Sequence, residues 1–211
     1  MAEPQALRAD ARRNRDLIVA AAKAVFAERG ADVPMEEVAR RAGVGVGTLY
    51  RRFPDRDALV REAARDSFGV LLARAREAAD EGGRGWESFL VGLKDMPELW
   101  FTLRLTLFSP HTWPLVRDDA PARAAARELR LVIDGLVRDA QAEGALRPDV
   151  GTGDVLMLVA LVVTGMGATA GALGPQVYER VLALALDGLR PGPAAPLPGR
   201  PLTPEDLDPR V

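Results

Sequence analysis

The stretch Glu37-Val38-Ala39-Arg40-Arg41-Ala42-Gly43-Val44-Gly45-Val46-Gly47-Thr48-Leu49-Tyr50-Arg51-Arg52-Phe53-Pro54-Asp55-Arg56-Asp57-Ala58-Leu59 decides how this chain folds. Val38, Ala39 and Ala42 recur at helical spacing after Pro34, and Gly43 stops that helix after about two turns. Val46, Leu49 and Phe53 repeat the pattern over a further short helix, which ends before Pro54 because the residue ahead of a proline disfavours the helical region. The corner Ala42-Gly43-Val44 needs a residue with relaxed backbone limits, which Gly43 supplies. A helix, a tight turn and a second helix form the arrangement in which the second helix can lie in the DNA major groove. The outer side of that helix offers Gly45, Gly47 and Thr48, small enough for close approach, followed by Tyr50, Arg51 and Arg52. Hydroxyl and guanidinium groups there can bond to phosphate oxygens or base edges. The spacing alone is moderately specific, because many helical proteins contain such a corner.

Outward from this corner the chain reads as helix throughout, and no strand pattern competes. Residues 1–11 are expected to be a flexible basic arm, leading into the run Arg8, Arg12, Arg13, Arg15. Ile18, Ala21, Ala22 and Val25 place an amphipathic helix over Arg12 to Arg29, with Gly30 at its end. Asp55 is placed to cap a longer connecting helix from Arg56 to the region of Ala78. Further helices carry Trp86, Phe89, Leu90 and Leu93, then Leu99, Leu103 and Leu107, then Leu129, Val132, Ile133, Leu136 and Val137 on a long element ended by Gly144. Two apolar helices follow, from Asp154 to about Ala172 and from Pro175 to Leu189. Pro191, Pro193, Pro196, Pro198, Pro201, Pro204 and Pro209 make 191–211 a flexible or extended tail that cannot sustain a helix. The expected fold is all-α: a helix-turn-helix unit over 12–58, with the helix from 56 running onward, and a larger helical domain over 59–190.

Composition narrows the function classes. The 211 residues are 48% hydrophobic and 27% charged, which suits a globular chain with a full core and excludes global disorder. With no cysteine there is no disulfide framework, iron-sulfur centre or thiol nucleophile, and a single histidine leaves little basis for a metal site. No phosphate loop, nucleophile-histidine constellation or carboxylate cluster places catalytic chemistry, so neither enzyme activity nor a cofactor is expected. Met1 to Arg15 is polar and interrupted by acids, which argues against a secretory signal and for the cytosol. The net charge of −2 is unevenly divided. Residues 1–76 hold 15 Lys or Arg against 11 Asp or Glu, a net of +4, while 77–211 hold 13 against 19, a net of −6. Basic charge is thus gathered at the end that carries the helix-turn-helix, a modest footprint for an anionic polymer.

The quoted stretch closely resembles the DNA-binding region of the TetR family of transcriptional regulators. The likeness extends back through Ala21-Ala22, Phe26 and Arg29-Gly30, and covers about residues 12–60. It implies that Val46, Gly47 and Thr48 face bases at the start of the recognition helix, that Tyr50 contacts backbone or bases, that Arg52 can reach the groove, and that Arg56 takes the place of a phosphate-contacting lysine; Arg51 beside them suits a DNA contact or an ordinary solvated role. Leu49 and Phe53 would be buried supports. Two departures weaken a contact from the second helix: Met35 stands where members often have Ser or Thr, and Glu36 where some place a base-reading residue.

The C-terminal part resembles the family's ligand-binding and dimerisation domain in length and helix order. Reading a two-fold symmetric operator requires two copies of the reading unit, hence a homodimer. Leu156, Val159, Val163 and Met166 on one helix and Val181, Leu184 and Leu189 on the last could supply its apolar seam. The 20 residues from Val155 to Gly174 carry no charge, but their many Gly, Ala and Thr residues argue for close helix packing rather than a membrane span. Trp86, Phe89, Met96, Trp100, Phe101, Arg104, Phe108, His111 and Trp113 concentrate aromatic side chains in the middle of the chain, as a pocket for a small organic effector would. Taken singly, each of them suits an ordinary core role better than a pocket role. The sequence therefore points to a ligand-responsive repressor of double-stranded DNA, with a transcriptional activator or a helical protein-interaction adaptor as the alternatives.

Overall fold

A computed structural model of the chain describes residues 3–82, 85–92, 98–99, 101–103, 112–167, 174–192 and 195–207. Every regular element among them is helical. In chain order they are α1 (Glu3–Arg29), α2 (Met35–Ala42), α3 (Val46–Arg52), α4 (Arg56–Asp80), α5 (Gly85–Gly92), α6 (Trp113–Asp118), α7 (Ala120–Ala142), α8 (Thr152–Gly167), α9 (Gly174–Leu189) and a closing 3-10 turn (Pro204–Leu207). The chain divides into two compact units, residues 1–71 with 96–127, and residues 72–95 with 128–211.

In the first unit, α1 packs on α2 and α2 on α3. Ile18, Ala22, Val25 and Phe26 of α1, Val38 and Ala39 of α2, Leu49 of α3, and Leu59, Val60 and Ala63 of α4 are all buried. Spacings of three and four residues put the sets of α1 and α4 on one stripe each, as they do Met35, Val38 and Ala39 of α2, and this burial, rather than intrinsic propensity, holds helices as short as α2 and α3. Phe101 continues this core, its ring stacked on Phe26 at a centroid separation of 6.3 Å.

The second unit is built on Leu72, Ala75 and Ala78 of α4, Trp86, Phe89 and Leu90 of α5, Leu129, Ile133, Leu136 and Val137 of α7, and Val155, Ala160 and Val162 of α8. The turn from α7 to α8 is closed by the Gln141 amide, which donates to the carbonyls of Arg147 (3.1 Å) and Val150 (2.8 Å).

Three expectations need correction. The first helix starts at Glu3, not Arg12, so residues 3–11 of the expected arm are helical; Pro4 falls in the first turn, where its missing N–H costs nothing. Residues 96–127, expected in the C-terminal domain over 59–190, cluster with the helix-turn-helix unit instead. The tail is extended, as its prolines require, but its described part is held by hydrogen bonds against the start of α8 and ends in a 3-10 turn.

Candidate nucleic-acid interface

The corner between α2 and α3 is made by Gly43 in the left-handed region, φ 68° and ψ 25°. Its N–H donates to the Arg40 carbonyl (3.3 Å) and the Val44 N–H to the Ala39 carbonyl (3.0 Å), satisfying carbonyls that the end of α2 leaves open. Gly45 is extended, and its carbonyl accepts from the amides of Thr48 (2.9 Å) and Leu49 (3.1 Å) to start α3. Leu49 is fully buried and Phe53 nearly so; one helical turn apart, they seat one side of α3 on the unit's core.

The opposite side faces solvent. Val46 is 38% and Tyr50 42% exposed, and Gly47, Arg51 and Arg52 are exposed beside them. A methyl group built on Gly47 would meet nothing within 4 Å, so packing within the protein does not call for glycine there. What the glycine preserves is a bare stretch of helix that a flat partner can approach closely. The Thr48 hydroxyl accepts from an Arg51 guanidinium nitrogen (3.1 Å), which holds these two side chains together on that side. Arg41 pairs with Glu28 (3.0 Å) and Arg29 with Glu37, whereas Arg52 has no ion pair among the described residues. Arg56 is half-buried, with one nitrogen 3.8 Å from the Asp32 carboxylate and its Nε buried without a partner among the described residues. Asp55 caps α4 by accepting from the Ala58 N–H (2.7 Å). Met35 is buried, so it supports α2 instead of offering a contact, and Glu36 is exposed.

Residues 18–63 match the family model for bacterial regulatory proteins of the tetR family, and residues 109–191 match the C-terminal domain of SbtR-like transcriptional regulators. A TetR transcription regulatory protein from Mycobacterium vanbaalenii is 31% identical, with a TM-score of 0.61 over 88% of this chain and 99% of that one. The chain belongs to the TetR family. A TetR transcriptional regulator from Streptomyces coelicolor is 29% identical at a TM-score of 0.60, covering 84% of this chain and 98% of that one. An HTH-type transcriptional regulator of Staphylococcus aureus is 30% identical over 88 residues, 41% of this chain; the match spans about half of that relative, 48%. The α1–α3 unit is thus a TetR-type helix-turn-helix module, and the chain a TetR-family transcriptional regulator.

Outside the module, this TetR-family chain ties the segment 96–127 to α1 and α4 through charged contacts. Lys23 is 8% exposed in the middle of the apolar stripe of α1, and its Nζ donates to Asp66 of α4 (2.7 Å) and to Glu98 (2.8 Å). Burial alone would lower the Lys23 pKa, but the hydrogen bonds and charges of the two carboxylates outweigh it and hold the value above normal. Arg65 of α4 makes a two-pronged pair with Asp119 (2.9 and 2.5 Å), whose Oδ1 also accepts from the Ala122 N–H (2.9 Å) to cap α7. Arg65 is the main reason the Asp119 carboxyl lies below its usual range, against the opposing effect of burial. The sequence reading named none of these residues. A lysine one helical turn from both Val19 and Phe26, on the buried stripe, was the signal that could have found the first cluster.

The residues expected to line an effector pocket are distributed between the units. Trp86 and Phe89 are buried in the second. Phe101 is fully buried in the first against Phe26, and Trp113 there is half-buried, its Nε1 without a partner among the described residues. Met96, Trp100, Arg104, Phe108 and His111 lie outside the described residues.

Of the expected dimer seam, Leu156 and Val159 are half-buried, while Val181 is 39% and Leu184 70% exposed. Leu189 is buried inside its own unit at the end of α9 and drops out of that surface. The side chains of Val163 and Met166 lie outside the described residues. Leu161 on α8, 61% exposed, and Val177 on α9, 38% exposed, were not anticipated and add to the uncovered apolar surface. An open groove along α9, lined by Arg180, Ala183, Leu184, Leu186, Asp187 and Arg190, runs beside them. No helix among the described residues is long and apolar enough to cross a membrane.

Proposed function

We propose that this chain is a homodimeric repressor that binds a two-fold symmetric operator and is released from it by a small organic effector. The observation that carries the reading is the outer side of α3, where Gly47 opens onto empty space beside exposed Tyr50, Arg51 and Arg52. In this reading Val46, Gly47 and Thr48 approach base edges, Tyr50 and Arg52 bond to bases or phosphates, Arg51 does so from its position against Thr48, and Arg56 meets phosphate at the start of α4. The exposed Leu161, Val177, Val181 and Leu184 support association of two copies through α8 and α9, since large apolar side chains at this exposure are stabilised by a cover.

Release by an effector is supported by how Glu98 and Phe101 meet the module. Phe101 and Glu98 belong to the expected effector-side segment and touch Phe26 and Lys23 of α1 directly. A ligand that displaces this segment acts on α1 as well as on the connecting helix α4, changing the separation of the two recognition helices and weakening operator binding. The buried Ser67 Oγ and Trp113 Nε1 in the same unit have no partner among the described residues and would gain one from a polar group on the effector.

The test is selection of genomic fragments at physiological salt followed by sequencing, with the double variant Arg52→Ala/Tyr50→Phe as control. The reading expects enrichment of a two-fold symmetric site that the variant loses or weakens. A well-folded dimer that enriches no site refutes operator binding by the free protein and turns attention to an effector-dependent activator or an adaptor.

A further inference from the structure

The geometry points to the C-terminal strap, residues 195–207, as a staple that fixes the start of α8 to the end of α9 within one copy of the chain. Leu202 is bonded through both its backbone groups: its carbonyl accepts from the Gly153 N–H (2.8 Å) and its N–H donates to Asp154 Oδ2 (3.1 Å). The same Asp154 oxygen accepts from the Gly151 N–H (2.8 Å), so one carboxylate joins strap and turn. Seven residues earlier, in the turn between α7 and α8, Arg147 bridges the other end. Its N–H donates to the carbonyl of Leu189, the last residue of α9 (2.9 Å), and its guanidinium holds Asp149 (2.6 and 2.8 Å) and the Ala195 carbonyl (3.0 Å). Asp149 in turn accepts from the Leu197 N–H (2.9 Å). Within the strap, Arg200 pairs with Asp206 through two bonds of 2.6 Å, and Asp206 accepts from the Thr203 N–H (2.8 Å), which shapes the segment that meets α8.

The glycines beneath the strap carry the inference. Neither Gly151 nor Gly153 has a positive φ, so backbone conformation does not require glycine at either place. Gly153 lies in the first turn of α8, where alanine would favour the helix. What excludes a side chain is the strap: a Cβ on Gly151 would lie 2.2 Å from the Leu202 carbonyl oxygen, and one on Gly153 2.4 Å from that of Thr203. The Gly151-Thr152-Gly153 sequence has its explanation only with the strap in place. The prolines act in the same direction, since they confine the free chain to extended conformations and reduce the entropy lost on docking. The staple acts whether or not two copies associate. That it also presents α8 and α9 as one surface, and so strengthens a dimer, rests on the homodimer proposed above.

Gly153→Ala in the full chain gives a test by sign. Without a staple, the substitution raises Tm by about 2–4 °C through helix propensity alone; with one, it lowers Tm, because the methyl group pushes the strap off. Amide exchange in the wild-type chain is the companion measurement, with the Leu197 and Leu202 amides expected to exchange at least about tenfold more slowly than in the free peptide 191–211. Leu202→Pro, which alters the strap and no helix, is expected to accelerate exchange at Gly153 and to weaken self-association. A raised Tm in Gly153→Ala, or wild-type Leu197 and Leu202 amides exchanging at the free-peptide rate, overturns the staple. A wild-type chain that stays monomeric at all concentrations refutes the homodimer instead, and the melting and exchange results still decide the staple.

Discussion

Replacing Lys23 by methionine is the substitution whose consequence follows most directly from the packing. Methionine keeps an unbranched apolar stem along the stripe of α1 but removes the charge that two carboxylates share. Lys23 is 8% exposed, and the side chains of Glu98 and Asp66 are 15% and 35% exposed. Removing one partner from a buried ion pair costs about 3–5 kcal/mol, because the other charge stays desolvated. Glu98 is still 15% exposed and falls short of the full figure, and Asp66 reaches water and contributes little after screening, so the expected loss is about 2–4 kcal/mol. In urea, with a slope of about 2 kcal/mol per molar, the midpoint should fall by about 1–2 M with no change of slope. The double variant Lys23→Met/Glu98→Leu removes the stranded charge as well and should recover at least half of the loss, since an apolar replacement of a buried pair is often neutral. The measurement is urea unfolding followed by helical circular dichroism on the wild type and both variants. A single variant within about 0.3 M of wild type, or a double variant no more stable than the single, refutes the buried cluster as an energetic tie between α1, α4 and residue 98. The cluster also sets an alkaline signature. With its pKa raised, Lys23 contributes fully below the ordinary lysine value of 10.5, and that contribution is lost as pH rises through the folded value. Lys23→Met should lack this loss.

Three further outcomes are expected. Gly43→Val places a β-branched residue at φ 68°, and thermal unfolding should report a loss of about 1–2 kcal/mol together with weakened DNA binding, as the corner sets where α3 stands; unchanged stability would contradict the strained turn. Leu184→Glu puts a charge on the most exposed apolar side chain of α9 and should shift sedimentation from dimer to monomer while helix content stays constant. Asp149 is held down to about 2 chiefly by Arg147, so its part in holding the strap is complete above the ordinary aspartate value of 3.8 and is lost as pH falls to about 2; NMR of the Leu197 amide should follow that titration, and Asp149→Asn should abolish it.

The sequence was most informative where function needs local geometry. Gly43, Leu49 and Phe53 can be read directly, because a tight corner and a seated recognition helix require a permissive backbone position and two apolar residues one turn apart, and these constraints act within a few residues. The limits of α2, α3 and α4 were legible for the same reason, each having a proline, a glycine or Asp55 at its edge. The exposed face of α3 followed once the buried face was known.

What the sequence by itself determined was therefore the all-helical class, the helix-turn-helix and the family. Only the tertiary structure decided which distant residues meet. Lys23 looks like an interruption of an apolar stripe until Asp66 and Glu98, 43 and 75 positions away, arrive beside it. Phe101 reads as a candidate pocket residue, and only the fold shows that its ring stacks on Phe26. Leu189 reads as seam and is buried in its own unit, while Leu161, which the sequence did not single out, is exposed. The Pro-rich tail lacks any periodic signal, since an extended strap recognised through backbone amides and carbonyls leaves its mark on the surface that receives it, here Gly151 and Gly153, and not on its own side chains. Local steric rules act between chain neighbours and can be read along the sequence, whereas a buried charge or a docked backbone depends on what folding brings to it from elsewhere.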